Sequence, residues 1–149
     1  CTQNEEEAAA RDRDLLSKPE GERFMPMADT VGLKSGVLSG DEFAGTIFPE
    51  PWLKTGEGRT RLDDVAGLAP LLIYRAGSEA AGESFRAVGG FAVSLADPAL
   101  VDEGGRVKSL LASCEAVLVR PDRYVFGRGD AGALTAAWAT YLASGVSPA

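Results

Sequence analysis

The amino-acid sequence predicts an α/β domain in which helices flank one mixed β-sheet. Residues 68–75, LAPLLIYR, form a continuous apolar run of strand length, as expected for a central strand covered on both faces. Two shorter apolar runs in residues 117–126, VLVRPDRYVF, enclose a charged segment with a proline and predict an antiparallel hairpin. Apolar residues at i, i+4, i+7 and i+8 predict a final helix: Leu134, Trp138, Tyr141 and Leu142.

The N-terminal residues differ in pattern from the rest of the chain. A helix is predicted over residues 4–16, because Asn4 can cap it and glutamates and then alanines follow. Residues 17–40 mix proline and glycine without a sustained period, which is typical of a linker. We therefore expect a helix and a linker over residues 1–39 and a compact domain over residues 40–149.

The first part of the compact domain is predicted to be extended and short-stranded. Prolines 49 and 51 exclude a helix in residues 44–53 and favour a position at the edge of a sheet. Thr60 and Leu62 are predicted to belong to a short strand. Asp63 is expected to cap a single helical turn that Gly67 closes.

The remaining elements alternate between helix and strand. A helix is predicted over residues 78–86, a strand over 91–95 and a short amphipathic helix over 107–111, and Asp130 is expected to begin the final helix. The order is strand, helix, strand, helix, hairpin, helix. It predicts a thioredoxin-like fold with a mixed central sheet, a C-terminal antiparallel hairpin and flanking helices.

Composition excludes several classes of function. With 22 acidic and 15 basic residues the net charge is −7, which argues against nucleic acid or an anionic membrane surface as a partner. No apolar run approaches the roughly 20 residues that span a bilayer. The sequence holds no histidine, so Ser-His and Cys-His pairs and histidine-containing zinc sites are excluded. Cys1 and Cys114 share no motif spacing, which favours a cytoplasmic location.

A thioredoxin-like fold raises the question of dithiol chemistry. The reactive cysteines would lie in the loop after the first central strand, residues 75–79, which contain no cysteine. The proline that faces them would precede the hairpin, near residues 114–116, where there is none. We therefore expect a redox-inert domain, with Cys114 as a small buried apolar residue.

Other candidate sites have simpler structural interpretations. The acidic pairs Asp63-Asp64 and Asp102-Glu103 are expected to be caps or loop residues, and residues 127–130, GRGD, a loop into the last helix. The sequence has no G-x-G-x-x-G between a strand and a helix. Trp138 is predicted to pack in the core, whereas Trp52 is the better candidate for an intermolecular contact. No catalytic, cofactor-binding or metal-binding residue is therefore predicted in this chain.

The segment Arg-Pro-Asp-Arg, residues 120–123, is either a turn or a site. Proline at the second position of a type I turn and aspartate at the third explain it as a turn, and the turn is the favoured interpretation. Arg120 and Arg123 are then expected to flank the turn in solvent. Because residue 123 is arginine and not glycine, this position need not be left-handed, which favours a type I turn over a type II turn.

Two longer stretches resemble the C-terminal domain of class A flavoprotein aromatic hydroxylases, of the 3-(3-hydroxyphenyl)propionate hydroxylase and phenol hydroxylase type. They are AGTIFPEPWL…GRTRLDDVAG…LLIYR and EAVLVRPDRYVFGR. The family's usual Leu-Val-Arg-Pro-Asp-Gly-Tyr/His-Val is matched at Leu118 to Asp122, Tyr124 and Val125, with Arg123 in the place of the glycine. The resemblance covers about residues 45–142.

The resemblance implies a domain that supports chemistry performed elsewhere. In this family FAD and NAD(P)H serve an N-terminal catalytic domain, and the thioredoxin-like C-terminal domain contributes to subunit contacts and stability. It implies that residues 1–39 trail from a catalytic FAD domain, that the parent enzyme is a homodimer, and that this chain itself holds no cofactor. The alternative is a free-standing thioredoxin-like protein-binding module without dithiol activity.

Overall fold

The computed structural model describes residues 4–17, 32–56 and 58–144. Its contacts divide the chain into two units, Cys1–Val31 and Gly32–Ala149. The first unit contains helix α1, Glu5–Ser17, and the Asn4 side chain caps it by accepting a hydrogen bond from the Glu6 N–H at 3.0 Å. The predicted N-terminal helix is therefore confirmed. Of the predicted linker, residues 18–31 lie outside the described part of the chain.

The second unit contains seven strands and four helices among its described residues. They are β1 Trp52–Thr55, β2 Gly58–Arg61, α2 Leu62–Ala66, β3 Leu71–Tyr74, α3 Glu79–Ala87, β4 Phe91–Ser94, β5 Leu100–Val101, α4 Arg106–Leu110, β6 Ala116–Val119, β7 Val125–Gly129 and α5 Ala131–Ala143. A 3₁₀ turn, Glu103–Gly105, precedes α4.

The main sheet has the strand order β4-β3-β6-β7. Strands β3 and β4 are parallel, with Leu71 opposite Phe91, whereas β6 is antiparallel to both β3 and β7. Helix α3 connects the parallel pair and α5 follows the hairpin β6-β7. The predicted mixed α/β architecture with a C-terminal antiparallel hairpin is confirmed.

Strand β3 lies at the centre of the hydrophobic core. Leu71 and Ile73 belong to one cluster of buried side chains, and Leu72 and Tyr74 belong to another on the opposite face of the sheet. Successive side chains of a strand point to opposite faces, so a continuous apolar run is what two covered faces require. The sequence pattern therefore predicted the position of this strand correctly.

A second, antiparallel sheet has the order β2-β1-β5. Trp52 in β1 lies opposite Arg61 of β2 and Val101 of β5. Strand β5 is only two residues long, and no pattern in the sequence predicted it. It forms because β1 offers a free edge for pairing, which is a tertiary effect.

The start of α2 differs from the sequence-based expectation. The helix begins at Leu62, and Arg61 occupies the N-cap position without a side-chain hydrogen bond. Asp63 therefore lies inside the first turn, and the expectation that it caps the helix was wrong. Its carboxylate is held by Arg123 instead, at 2.5 Å. Gly67 ends the helix as predicted.

Candidate functional site at the arginine hairpin

The hairpin β6-β7 turns through a three-residue loop. The Arg120 N–H donates to the Tyr124 carbonyl at 2.8 Å, and the Arg123 N–H donates to the Arg120 carbonyl at 3.0 Å. The predicted hairpin turn is therefore confirmed. Arg123 has a φ of +66°, so its backbone is left-handed although nothing in the sequence required it. Hairpin loops of three residues commonly end in a left-handed residue, because that conformation returns the chain to the second strand.

The Arg120 side chain points inward, not into solvent as predicted. Only 5% of it is exposed, and its Nε and Nη2 donate to the two carboxylate oxygens of Asp122 at 3.1 and 2.7 Å. Its Nη1 donates to the Val37 carbonyl at 3.3 Å. This bidentate pair balances a buried charge while the third bond holds the segment that leads into the domain.

Arg123 was also expected in solvent, and its side chain is instead four-fifths buried. Its Nε forms an ion pair with Asp63 at 2.5 Å, its Nη1 donates to the Ala69 carbonyl at 3.0 Å, and its Nη2 donates to the Gly67 carbonyl. One side chain thus ties the hairpin loop to α2 and to the segment that leads into β3.

A third arginine on the hairpin, Arg128, was not singled out from the sequence. It lies on β7, where it donates to Asp41 at 3.2 Å and to the Leu110 carbonyl at 2.9 Å, and its guanidinium lies 3.6 Å from the centre of the Phe43 ring. Burial acts to lower the pKa of Arg128, but the hydrogen bond and charge of Asp41 outweigh it, and the pKa is raised. Residues 127–129 of the GRGD motif belong to β7, so the expectation that they form a loop was wrong.

Asp130 of the same motif begins α5 as predicted. Its carboxylate accepts a hydrogen bond from the Ala133 N–H at 2.6 Å, which is the usual geometry of a helix cap. Every residue of the GRGD motif thus has a structural role, either in β7 or at the start of α5.

The opposite end of the main sheet is where a thioredoxin-type dithiol would lie. Residues 75–78 connect β3 to α3 there, and Arg75, Ala76 and Gly77 are exposed. Cys114 lies next to this end, partly buried against the core, and burial raises its pKa. A shallow hollow of about 330 Å³ is lined by Arg75, Ala76, Leu95, Ala96 and Lys108.

Of the remaining candidates, Asp102 and Trp52 line the same cavity, whereas Trp138 lies in the core. Asp102 caps α4 by accepting from the N–H groups of Val107 and Lys108 at 3.1 and 2.8 Å, which confirms its role as a cap. Trp138 is 3% exposed in the core, as predicted. Trp52 is half-buried, with the Arg59 guanidinium 5.3 Å from its ring centre.

The contacts of the hairpin arginines hold segments of the fold in place and do not assemble a group of side chains for catalysis. The three hairpin arginines are directed at carboxylates and backbone carbonyls, so they cross-link segments of the fold. No group of three or more histidine, cysteine or acidic residues in the described part of the chain could hold a metal ion. In the same residues, no helix is long and apolar enough to cross a membrane.

The comparison with protein families identifies the hairpin as part of a larger pattern. The profile of the family described as "Aromatic-ring hydroxylase, C-terminal" matches residues 41–145, more than two thirds of the chain. The chain belongs to this family. The match includes the arginine hairpin and the acidic partners Asp41, Asp63 and Asp122. No curated protein sequence matches the chain.

Solved structures of a monooxygenase and of hydroxylases are similar to this domain. The flavin-dependent monooxygenase PieE, solved with FAD and substrate, is 26% identical over 76% of this chain, with a TM-score of 0.53. Aklavinone-11 hydroxylase, solved with FAD and aklavinone, is 24% identical over 62%, with a TM-score of 0.47. For OxyS anhydrotetracycline hydroxylase from Streptomyces rimosus the values are 21%, 62% and 0.43.

This chain aligns with only part of each of those proteins. The matched region is 25% of the PieE chain, 20% of the aklavinone-11 hydroxylase chain and 19% of the OxyS chain.

Proposed function

We propose that this chain is the redox-inert, thioredoxin-like C-terminal domain of an FAD- and NAD(P)H-dependent aromatic (phenolic) monooxygenase. Within that enzyme it supports subunit contacts and stability. The observation that carries the proposal is the family match over residues 41–145, together with the likeness to PieE. The region that matches PieE is 25% of the PieE chain.

The strand order supports the thioredoxin-like part of the proposal. The main sheet has the order β4-β3-β6-β7. It contains a parallel strand pair connected by a helix, followed by an antiparallel hairpin and a final helix. The loop at the position of a thioredoxin dithiol consists of Arg75, Ala76, Gly77 and Ser78, and none of these is a cysteine. Among the described residues, the free cysteine is Cys114, which precedes the hairpin. Burial raises its pKa and so disfavours the reactive thiolate form. These features favour a domain without dithiol activity.

The cofactor chemistry is assigned to the parent enzyme, not to this domain. PieE is a flavin-dependent monooxygenase solved with FAD and substrate, which supports FAD as the cofactor of the parent. We propose NAD(P)H as its reductant, a catalytic FAD domain as the direct partner, a homodimer as the assembly and the cytoplasm as the location. No residue of this chain is given a catalytic role.

The reading frame upstream of Cys1 provides the decisive test. We expect it to continue into a flavin-binding domain with G-x-G-x-x-G after an N-terminal strand. A reading frame that begins near Cys1 would contradict the proposal and favour a free-standing binding module.

A second measurement tests the redox assignment. The purified chain is expected to be colourless, to bind no FAD in equilibrium dialysis and to leave insulin disulfides unreduced in the presence of dithiothreitol. Stoichiometric flavin in the purified chain would contradict the proposal. Insulin reduction that disappears in Cys114→Ala would contradict the redox-inert assignment.

A further inference from the structure

The shallow hollow at the end of the main sheet opposite the hairpin loop combines apolar and cationic side chains. Its volume of about 330 Å³ lies within the range of small-molecule sites. The residues that line it are Arg75, Ala76, Leu95, Ala96 and Lys108. Three of them are apolar, two are cationic and none is acidic. We name it the Arg75 hollow.

The Arg75 hollow lies at the carboxyl ends of the two parallel strands. Tyr74 and Ser94 are the last residues of β3 and β4 and lie opposite one another. The lining residues either follow these two strands directly or belong to α4. In open α/β sheets, ligands bind in the crevice outside the carboxyl ends of the strands. The position of the hollow in the fold is therefore one that favours a ligand.

Backbone hydrogen bonds hold all three segments that form the hollow. The Arg75 N–H donates to the Glu115 carbonyl at 2.8 Å. The Leu95 N–H donates to the Tyr74 carbonyl at 2.7 Å. The N–H of Lys108 donates to the carboxylate that caps α4, at 2.8 Å. Because these backbone segments are already fixed, a ligand does not have to order them, which lowers the entropic cost of binding.

The two cations of the hollow have no counter-charge in the described part of the chain. Neither the Arg75 guanidinium nor the Lys108 ammonium forms an ion pair or a side-chain hydrogen bond with another described residue. The next acidic residues along the chain, Glu79 and Asp97, accept from nearby backbone N–H groups at 3.0 and 2.8 Å. Other arginines do pair with carboxylates: Arg59, Arg61, Arg120, Arg123 and Arg128.

Other cavities of this domain contain carboxylates beside their cations. The cavity of about 260 Å³ that Trp52 lines has one arginine and three acidic residues. The hollow of about 340 Å³ beside α5 has Arg128 together with two aspartates. These cavities repel an anion or already balance its partners. In a chain of net charge −7, the Arg75 hollow instead offers two unpaired cations next to apolar surface.

We infer that the Arg75 hollow binds a small organic anion, in which a carboxylate is attached to an apolar body the size of one or two aromatic rings. The carboxylate pairs with Arg75 and Lys108, and the apolar body covers Leu95 and the two alanines. An arginine–carboxylate pair also fixes the orientation of such a ligand. Because the hollow is shallow, we expect binding in the millimolar range. The inference uses this domain alone and does not depend on the proposed function.

Nuclear magnetic resonance titration of the isotope-labelled chain tests each part of this site with four probes. Benzoate has a ring and a carboxylate, benzyl alcohol has the ring without charge, acetate has the charge without a ring, and benzylamine has the opposite charge. We expect benzoate to shift the amide signals of residues 75–76, 95–96 and 108 with saturation. Benzyl alcohol and acetate should bind at least about ten-fold more weakly, because each lacks one of the two attractions, and benzylamine should cause no saturable shift.

Every other result of the titration overturns the inference. If acetate binds as tightly as benzoate, the hollow takes an adventitious ion only. If benzyl alcohol binds as tightly, the cations do not contribute. Benzoate shifts that do not saturate, or that centre on residues outside the hollow, would show that no such site exists.

Three charge-removing variants test the cations. Arg106→Gln is the matched control for Arg75→Gln and Lys108→Gln, because Arg106 is exposed on the same helix as Lys108 but lines the cavity beside Trp52. Arg75→Gln and Lys108→Gln should each raise the dissociation constant of benzoate about five-fold at low salt, and Arg106→Gln should change it less than about two-fold. Spectra that match the wild type outside the hollow show that the variants are folded. Equal weakening by all three variants would reduce the effect to the general field of the chain and refute the site.

An acidic peptide distinguishes a small ligand from a protein partner. A short peptide of aspartates around one phenylalanine is titrated in the same way. It should bind no more tightly than benzoate, because the five lining residues accommodate only one side chain of such a peptide. If it binds more than about ten-fold more tightly, the occupant is a segment of another chain and the inference is wrong.

Discussion

The two ends of the main sheet are built for different tasks. At the hairpin end, Arg120 and Arg123 bind carbonyls and carboxylates of three separate segments. At the opposite end, the loop of residues 75–78 is mostly exposed beside a shallow hollow. A thioredoxin-type enzyme needs its reactive residues at that second end. In this chain the arginines of the hairpin loop are at the first end, whereas Arg128, which pairs with Asp41 and Glu42, lies toward the second.

The two ends also differ in how their loops are held. Buried guanidinium groups are costly unless every donor is used, so they fix the segments that they bind. At the hairpin end, Arg120 and Arg123 fix the segments around Val37 and around residues 63–69 in this way. The loop after β3 is attached mainly by backbone bonds, such as that from the Arg75 N–H to the Glu115 carbonyl.

The largest expected effect concerns the segment that leads to the hairpin end. A Cβ on Gly45 would lie 2.0 Å from the Leu33 carbonyl oxygen, and its φ is +83°. Gly45→Ala is expected to lower the free energy of unfolding by at least about 3 kcal/mol. Gly40→Ala is the matched control, because Gly40 has the same φ and no atom within 4 Å of the added carbon. It should cost about 1 kcal/mol in urea unfolding, and equal losses would contradict the steric explanation.

The next largest effect tests the buried arginine. Asp122→Ala leaves the Arg120 charge buried without its bidentate partner and is expected to cost about 2–3 kcal/mol. Glu103→Ala removes the partner of Arg59 in a pair that is exposed on both sides, and it should cost less than about 1 kcal/mol. If chemical denaturation gives the two variants the same stability, Arg120 does not differ from a surface arginine and the contrast between the ends weakens.

The third effect is intermediate in size, and it distinguishes the stability that the Arg123 side chain contributes from the cost of its left-handed backbone. Arg123→Ala loses the contacts to Asp63, Gly67 and Ala69 while keeping a left-handed residue with a Cβ, and it should cost about 2 kcal/mol. Arg123→Gly loses the same contacts but relieves the backbone by about 1 kcal/mol. Thermal unfolding should therefore rank wild type above Arg123→Gly and Arg123→Ala last. The reverse order of the two variants would show that the left-handed backbone carries no strain.

The smallest effect concerns the opposite end of the sheet. Burial raises the pKa of Cys114, so the folded protein retains the thiol proton in a pH range where the unfolded chain has lost it. This contribution to stability is complete below the unfolded pKa and is lost as pH rises through the folded pKa. At pH 8, iodoacetamide should modify Cys114 several-fold more slowly in the native Cys1→Ser protein than in urea. Faster modification of the native protein would place a reactive thiol at this end and remove the contrast.

Local patterns predicted the elements but not their contacts. The β3 strand, the hairpin and α5 were recognised because each depends on periodicity or turn chemistry within about ten residues. The Asp130 cap was predicted for the same reason. Strand β5 was missed, since two residues carry no periodicity and its pairing with β1 joins positions about 50 residues apart.

The sequence by itself determined the strands, the helices and the turn of the main sheet, and it carried the motif by which the family is recognised. Only the tertiary structure decided that Arg120 and Arg123 face inward, because their partners Val37 and Ala69 are 83 and 54 residues away in the chain. It also decided that Asp63 pairs with Arg123 and does not cap α2. The physical reason is the distance along the chain between the residues that interact. Helices, strands and turns depend on neighbouring residues, so local patterns predict them. The position of a buried charged side chain depends on which distant segment provides its hydrogen-bond partners.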